Sequence, residues 1–224
     1  MDNRRRNNII AMVAPKAALR QQVEKETNFQ FESLCELLEG MAAEYRELLP
    51  ENVLVKFERD AKHVAMFTLD ADVLVFAQHT DVFQFDRDHE AWQTNYVKSD
   101  KNRAFVGVVN VYNFLSDSFK YDRDEDVGYL VARLFVNAEG AFFVEGKRQR
   151  GVGVEHFGGQ KLDVDNWRRF VETAIKYVAE FDLLVPPYDA VKLTDLAHLK
   201  QAILTSKTKT AKRMGFSFNS DDVK

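Results

Sequence analysis

At Pro50 the apolar rhythm of this 224-residue chain changes from a period of about 3.6 residues to about 2. That switch limits the possible folds more than any other feature of the sequence. Before it, Phe31, Leu34, Cys35, Leu38, Met41, Ala42, Tyr45, Leu48 and Leu49 recur at helical spacing and form one stripe. Glu32, Glu36, Glu39, Glu44 and Glu47 lie on the other side. The helical pattern is read from Pro15 onward, with Thr27 or Asn28 as a cap for its strongest part and Pro50 as its end. Residues 1–15 read as a loosely ordered N-terminal arm.

After Pro50, segments 53–57, 64–69, 73–77, 82–85 and 105–114 are rich in β-branched and aromatic residues. Asp60-Ala61-Lys62 and Asp70-Ala71-Asp72 are short enough for hairpin loops, so neighbouring strands are expected to be antiparallel. Residues 86–102 are polar and weakly patterned apart from Trp92, Tyr96 and Val97, and read as an excursion from the sheet.

Residues 128–149 fix a register. A three-residue loop, Ala138-Glu139-Gly140, places glycine where such hairpins need a left-handed residue and pairs Asn137 with Ala141. One face then carries Leu130, Ala132, Leu134 and Val136 opposite Phe142, Val144 and Gly146. The other carries Tyr129, Val131, Arg133 and Phe135 opposite Phe143, Glu145, Lys147 and Gln149. A two-residue loop would pair core positions with charged ones, which a buried face resists.

Residues 150–162 are glycine-rich and read as a loop. Asp163 or Asp165 then caps a helix with Trp167, Phe170, Val171, Ala174, Val178 and Phe181 on one stripe. Pro186-Pro187 ends it, a shorter helix follows over about 190–204, and residues 205–224 read as a mobile basic tail. The expected fold class is α+β: an antiparallel β-meander sheet with a long N-terminal helix and two C-terminal helices packed on one face, as one domain over residues 16–204.

The net charge of −4 is unevenly spread: residues 1–20 and 192–224 carry +4 each, leaving −12 for the body between them. An acidic body repels nucleic acid over most of its surface, while the basic ends attract it. Arg4-Arg5-Arg6 followed by the apolar residues 9–14 resembles a secretory signal, but a signal core needs roughly 7–15 residues and this one stops at Pro15. No apolar run reaches the ~18 residues of a membrane span. One cysteine excludes an internal disulfide framework, and a cytoplasmic location is expected.

Two kinds of chemistry compete. Glu145-Gly146-Lys147 has the acid-x-Lys ending used by metal-dependent nucleases of the PD-(D/E)xK type, in which acid and lysine serve a divalent ion and the scissile phosphate. The same register gives Glu145 a cross-strand partner in Arg133, an ordinary ion pair. Lys147, Arg148, Arg150 and His156, on a glycine-permitted loop, have the charge to grip a phosphate or an acidic partner. The acidic loop Asp117–Asp126 is expected beside that run and able to neutralise it. His79, Asp81, Asp86, Asp88 and His89 are compatible with a metal but form no recognised spacing.

With no catalytic constellation, the favoured reading is a non-catalytic cytoplasmic interaction or regulatory module. It acts by surface recognition, as a homodimer or with a protein partner, and needs neither cofactor nor metal. The outer-face aromatics Tyr129, Phe135 and Phe143 support it: they either lie under a helix or mark a partner surface. The alternative is a nucleic-acid- or phosphate-binding protein, or a metal-dependent nuclease, built on Glu145, Lys147, Arg148, Arg150 and His156.

Overall fold

The computed structural model describes residues 3–124, 126–146, 151–180 and Leu196. A long helix, α1 (Asn3–Leu48), leads into strands β1 (Val55–Ala61), β2 (Val64–Leu69), β3 (Asp72–Gln78) and the short β4 (Phe83–Gln84). A helical excursion containing α2 (Asn95–Ser99) follows, then β5 (Phe105–Leu115), α3 (Ser116–Lys120), β6 (Tyr129–Asn137), β7 (Phe142–Gly146) and α4 (Val164–Ala179). The strands form one antiparallel sheet in the order β1-β2-β3-β5-β6-β7, with β4 paired to the start of β5. Apart from the short β4, each strand thus lies beside the one before it, as a meander requires, and α1 and α4 pack together on one face. The fold is α+β.

The β6–β7 register is the one read from the sequence: Arg133 faces Glu145, Leu134 faces Val144 and Phe135 faces Phe143. Gly140 closes the loop at φ 74°, a conformation that disfavours side chains with a Cβ. The Asn137 side chain completes the turn by accepting from the amides of Glu139 and Ala141 at 3.0 and 3.1 Å.

The core between sheet and helices contains the expected stripe Phe31, Leu34, Cys35, Leu38, Met41 and Ala42. Leu48 departs from it and is exposed. From α4, Trp167, Phe170, Val171, Ala174 and Val178 are buried, and Asp163 is the cap, its Oδ1 accepting from Asn166 N–H at 2.8 Å. The Trp167 indole donates to Gln30 Oε1 at 3.1 Å, and Gln30 Nε2 donates to the Leu162 carbonyl at 3.1 Å. At Gly107 on β5 a Cβ would overlap the Thr27 side chain, so glycine is what lets α1 lie this close.

Three expectations are corrected. The arm expected to be loosely ordered over residues 1–15 is helical from Asn3 on, with Pro15 inside the helix. Ala11, Ala14, Ala17, Ala18, Leu19, Gln21 and Gln22 are strong helix formers, and they carry the helix across the one hydrogen bond that proline removes. Thr27 and Asn28 therefore cap nothing; Thr27 Oγ1 donates to Val23 O, and Asn28 Oδ1 accepts from Gln78 Nε2.

The second correction concerns Leu130, expected inside and found 48% exposed. Val111 faces Ala132 but Tyr112 faces Leu130, so Val131 is an extra residue. This bulge reverses the faces beyond it, turning Tyr129 and Val131 toward the core. Third, Phe135 and Phe143 are not exposed: they are 6% and 0% accessible, beneath the excursion. The excursion read over residues 86–102 does leave the sheet, as an ordered strap with 3-10 turns at Glu90–Gln93 and Lys101–Ala104 flanking α2.

Under the strap a second core forms from Phe85, Ala91, Val97, Ala104, Val106, Phe143 and Phe157 with their neighbours. The expected helix over 190–204 and the tail over 205–224 lie outside the described residues, apart from Leu196. Among the described residues no helix is long and apolar enough to cross a membrane.

Candidate functional site

Of the residues singled out in the sequence, Lys147, Arg148 and Arg150 lie outside the described residues. Glu145 and His156 are placed. Glu145 Oε2 accepts from Arg133 Nε at 3.0 Å, as the register implies. Its Oε1 meets His89 Nε2 at 3.1 Å, a partner the sequence did not reveal. His89 Nδ1 accepts the Ala91 amide at 3.1 Å and so caps the 3-10 turn. An accepting Nδ1 leaves the proton on Nε2, which donates to Glu145. Both ring nitrogens are thus committed, and the ring is stacked on Phe85 at 4.3 Å. The arrangement orients the strap and offers no free base.

His79 Nδ1 accepts the Asp81 amide at 3.0 Å. Among the described residues no three His, Cys, Asp or Glu side chains are gathered to hold a metal ion. In the acidic loop, Asp126 accepts from Ser118 at 2.7 Å and lies 3.7 Å from Arg123. Cys35 is buried, and desolvation pushes its thiol up to about 11, which leaves it protonated and unreactive at neutral pH.

His156 belongs to a groove of about 980 Å³ between the strap (Glu90, Gln93, Thr94, Tyr96) and the loop over 151–160. Tyr96 fixes one wall. Its hydroxyl donates to Glu139 Oε2 at 2.7 Å and accepts from Asn137 Nδ2 at 3.0 Å, and Arg103 lies 4.3 Å over its ring while binding Glu139. Burial, and secondarily its bond to Glu139, pushes the Tyr96 phenol up to about 12, against a lowering by Asn137. Glu139 is held below the usual carboxylate range by the Tyr96 hydroxyl and Arg103. The opposite wall approaches so closely that a Cβ at Gly158 would overlap the Tyr96 ring. His156 Nδ1 lies 3.1 Å from Glu155 Oε1, and among the described residues the charged groups lining the groove are Glu90, Glu155 and His156.

Comparison with protein-family models, with curated proteins and with solved structures found no match to this chain.

A second surface is of different character. Every residue of α1 from Asn3 to Ala18 is exposed, and burial begins at Val23. The helix therefore projects about 30 Å beyond the domain, at a rise of about 1.5 Å per residue. Ile9, Ile10, Met12 and Val13 are 62%, 55%, 66% and 57% exposed on it. Arg6, Ile9, Val13, Lys16 and Arg20 are spaced by three or four residues, so one face has an apolar centre with cations at both ends. Sequence reading missed this surface because it ended the ordered chain at Pro15. The exposed run of Ile9 to Val13 was the available signal.

Proposed function

We propose that this chain is a non-catalytic interaction module that presents the projecting part of α1 to a protein partner. The observation that carries the reading is the exposure of Ile9, Ile10, Met12 and Val13 on a stretch of helix in which every residue from 3 to 18 is exposed. An isolated helix of this length is marginal in water, and a proline inside weakens it further. Such a segment gains its stability by laying its apolar side on another molecule. The partner's chemistry follows from the arm: an apolar surface with acidic flanks. A cytoplasmic setting agrees with a single buried thiol.

Of the anion-binding alternative's residues only His156 is among those described, and Glu155 lies 3.1 Å from it. A photoreactive residue in place of Met12 tests the proposal in intact cells. A discrete protein adduct that is lost on Arg6→Glu with Lys16→Glu is expected. Adducts only to lipid or nucleic acid, or none, would overturn it.

A further inference from the structure

We infer that β1 is a dimerisation edge: two copies of this chain join their sheets by pairing β1 with β1, antiparallel about a two-fold axis at Phe57. The inference does not rest on the projecting arm, so either reading can fail without the other. The backbone limits the register. In an antiparallel pair, alternate residues bond toward the neighbouring strand and the rest point away from it. Asp70 N–H donates to Leu54 O at 2.7 Å, which fixes the phase: Lys56 and Glu58 bond to β2, while Val55, Phe57 and Arg59 turn their amides and carbonyls outward. Among the described residues only one of those outward groups has a partner, the Val55 carbonyl, which accepts from Arg46 Nε at 3.0 Å. The other edge of the sheet is closed, since Val144 N–H donates to Val152 O at 2.7 Å and Leu162 N–H to Gly140 O at 2.8 Å. β1 is therefore the edge able to recruit another strand, and pairing through it stops at two copies.

Side chains choose the partner. Lys56 and Glu58 share one face of β1, joined at 2.6 Å. Pairing about Phe57 sets Lys56 opposite the other copy's Glu58, and Glu58 opposite its Lys56, so charges of alternating sign form a closed square. The two neighbouring registers that keep the hydrogen bonds would set Lys56 against Lys56, or Glu58 against Glu58. Charge therefore selects this register, and it selects a second copy of the same strand. On β2 the neighbours of Lys56 and Glu58 are Thr68 and Met66, which add no charge. On the other face Phe57, half-buried against the core, meets its own counterpart.

The remaining charges near the edge weigh less. α1 runs along β1 from Glu32, bonded to Arg59 at 2.6 Å, to Arg46, bonded to the Val55 carbonyl. Because Arg59 lies opposite the other copy's Val55, the Arg59–Glu32 pair of each copy comes beside Arg46 of the other. Glu39, midway along that stretch of α1, approaches its own counterpart; it is exposed, so salt screens the repulsion. Asp60 sits in the bulge and Lys62 and Glu51 in the flanking turns, outside the paired stretch. The contact is the same patch on both copies, as a two-fold requires.

Sedimentation and amide exchange of the purified full-length chain test this. A dimer is expected, with the Phe57 and Arg59 amides protected only at concentrations where it forms. Lys56→Glu and Glu58→Lys each set like charges against one another across the axis, and each should weaken association by about tenfold or more. Mixing the two variants should restore it, because one chain then brings only carboxylates to the square and the other only ammonium groups. Within each chain the like charges stay together, so the recovery cannot come from intrachain repair. Exchange is read on the unsubstituted chain, so a variant that fails to fold leaves the test decisive. A monomer at every concentration, which would leave the edge to another protein's strand, would overturn the inference. So would a dimer with those two amides unprotected, or a mixture that associates no more tightly than its components.

Discussion

Gln30 is the residue on which the two helices meet chemically as well as sterically. It is 5% exposed, and it spends its carbonyl on the Trp167 indole and its amide on the Leu162 backbone. Gln30→Met fills similar space but leaves the indole N–H and the Leu162 carbonyl without partners, so a loss of about 1–3 kcal/mol is expected from urea unfolding. Loss below about 0.5 kcal/mol would mean that water enters to replace the amide. At the neighbouring close approach, Gly107→Ala drives a methyl into Thr27 and should destabilise by about 1–3 kcal/mol. Thr27→Ala removes the overlapping Oγ1 and Cγ2, so the double substitution should recover part of that loss; strict additivity would contradict the contact.

Among elements, the strap is the one whose hold depends on pH, because its tie to the β6–β7 hairpin runs through ionisable groups. The Tyr96 phenol titrates near 12 when folded and near 10 when unfolded, so its contribution is complete below about pH 10 and fades as pH rises toward 12. Tyr129, pushed up to about 12 mainly by burial, adds to the same alkaline loss. Glu139 works in the opposite direction: held below the usual carboxylate range, it stabilises above about pH 4 and stops doing so as acid protonates it. Amide exchange in residues 90–104 should therefore be slowest between about pH 5 and pH 10 once corrected for intrinsic rates. Tyr96→Phe should flatten the alkaline limb, and an unchanged limb would show that the strap is held by its apolar contacts alone.

Legibility in the sequence also differed by element. The β6–β7 hairpin was readable because a glycine at the loop and two chemically opposite faces leave one register. The bulge at Val131 was not, since Tyr129-Leu130-Val131-Ala132 is apolar at every position and alternation there carries no phase. The strap escaped because Trp92, Tyr96 and Val97 have neither period; tertiary contact with Phe85, Phe143 and Phe157 orders them. The groove joins Tyr96 to Gly158, segments whose meeting no local pattern encodes.

At the scale of the whole molecule, body and arm are energetically separable although one helix runs through both. Residues 3–18 bury nothing, so deleting residues 1–18 should change the unfolding free energy of a dilute sample by no more than about 0.5 kcal/mol. The same deletion should abolish any dependence of helix content on protein concentration. A large loss of stability in dilute solution would mean that the arm folds back on the body.

The strand-beside-predecessor topology also bears on how the molecule is made. As the chain leaves the ribosome, each new strand finds its neighbour already waiting, and the sheet grows by short loop closures. α1 has the opposite fate: synthesised first, it has its greasy stripe only partly covered by β1 and β2 until β5, β6 and finally Trp167 emerge. That interval is the newborn chain's period of greatest vulnerability to aggregation, and it is where a chaperone would be needed.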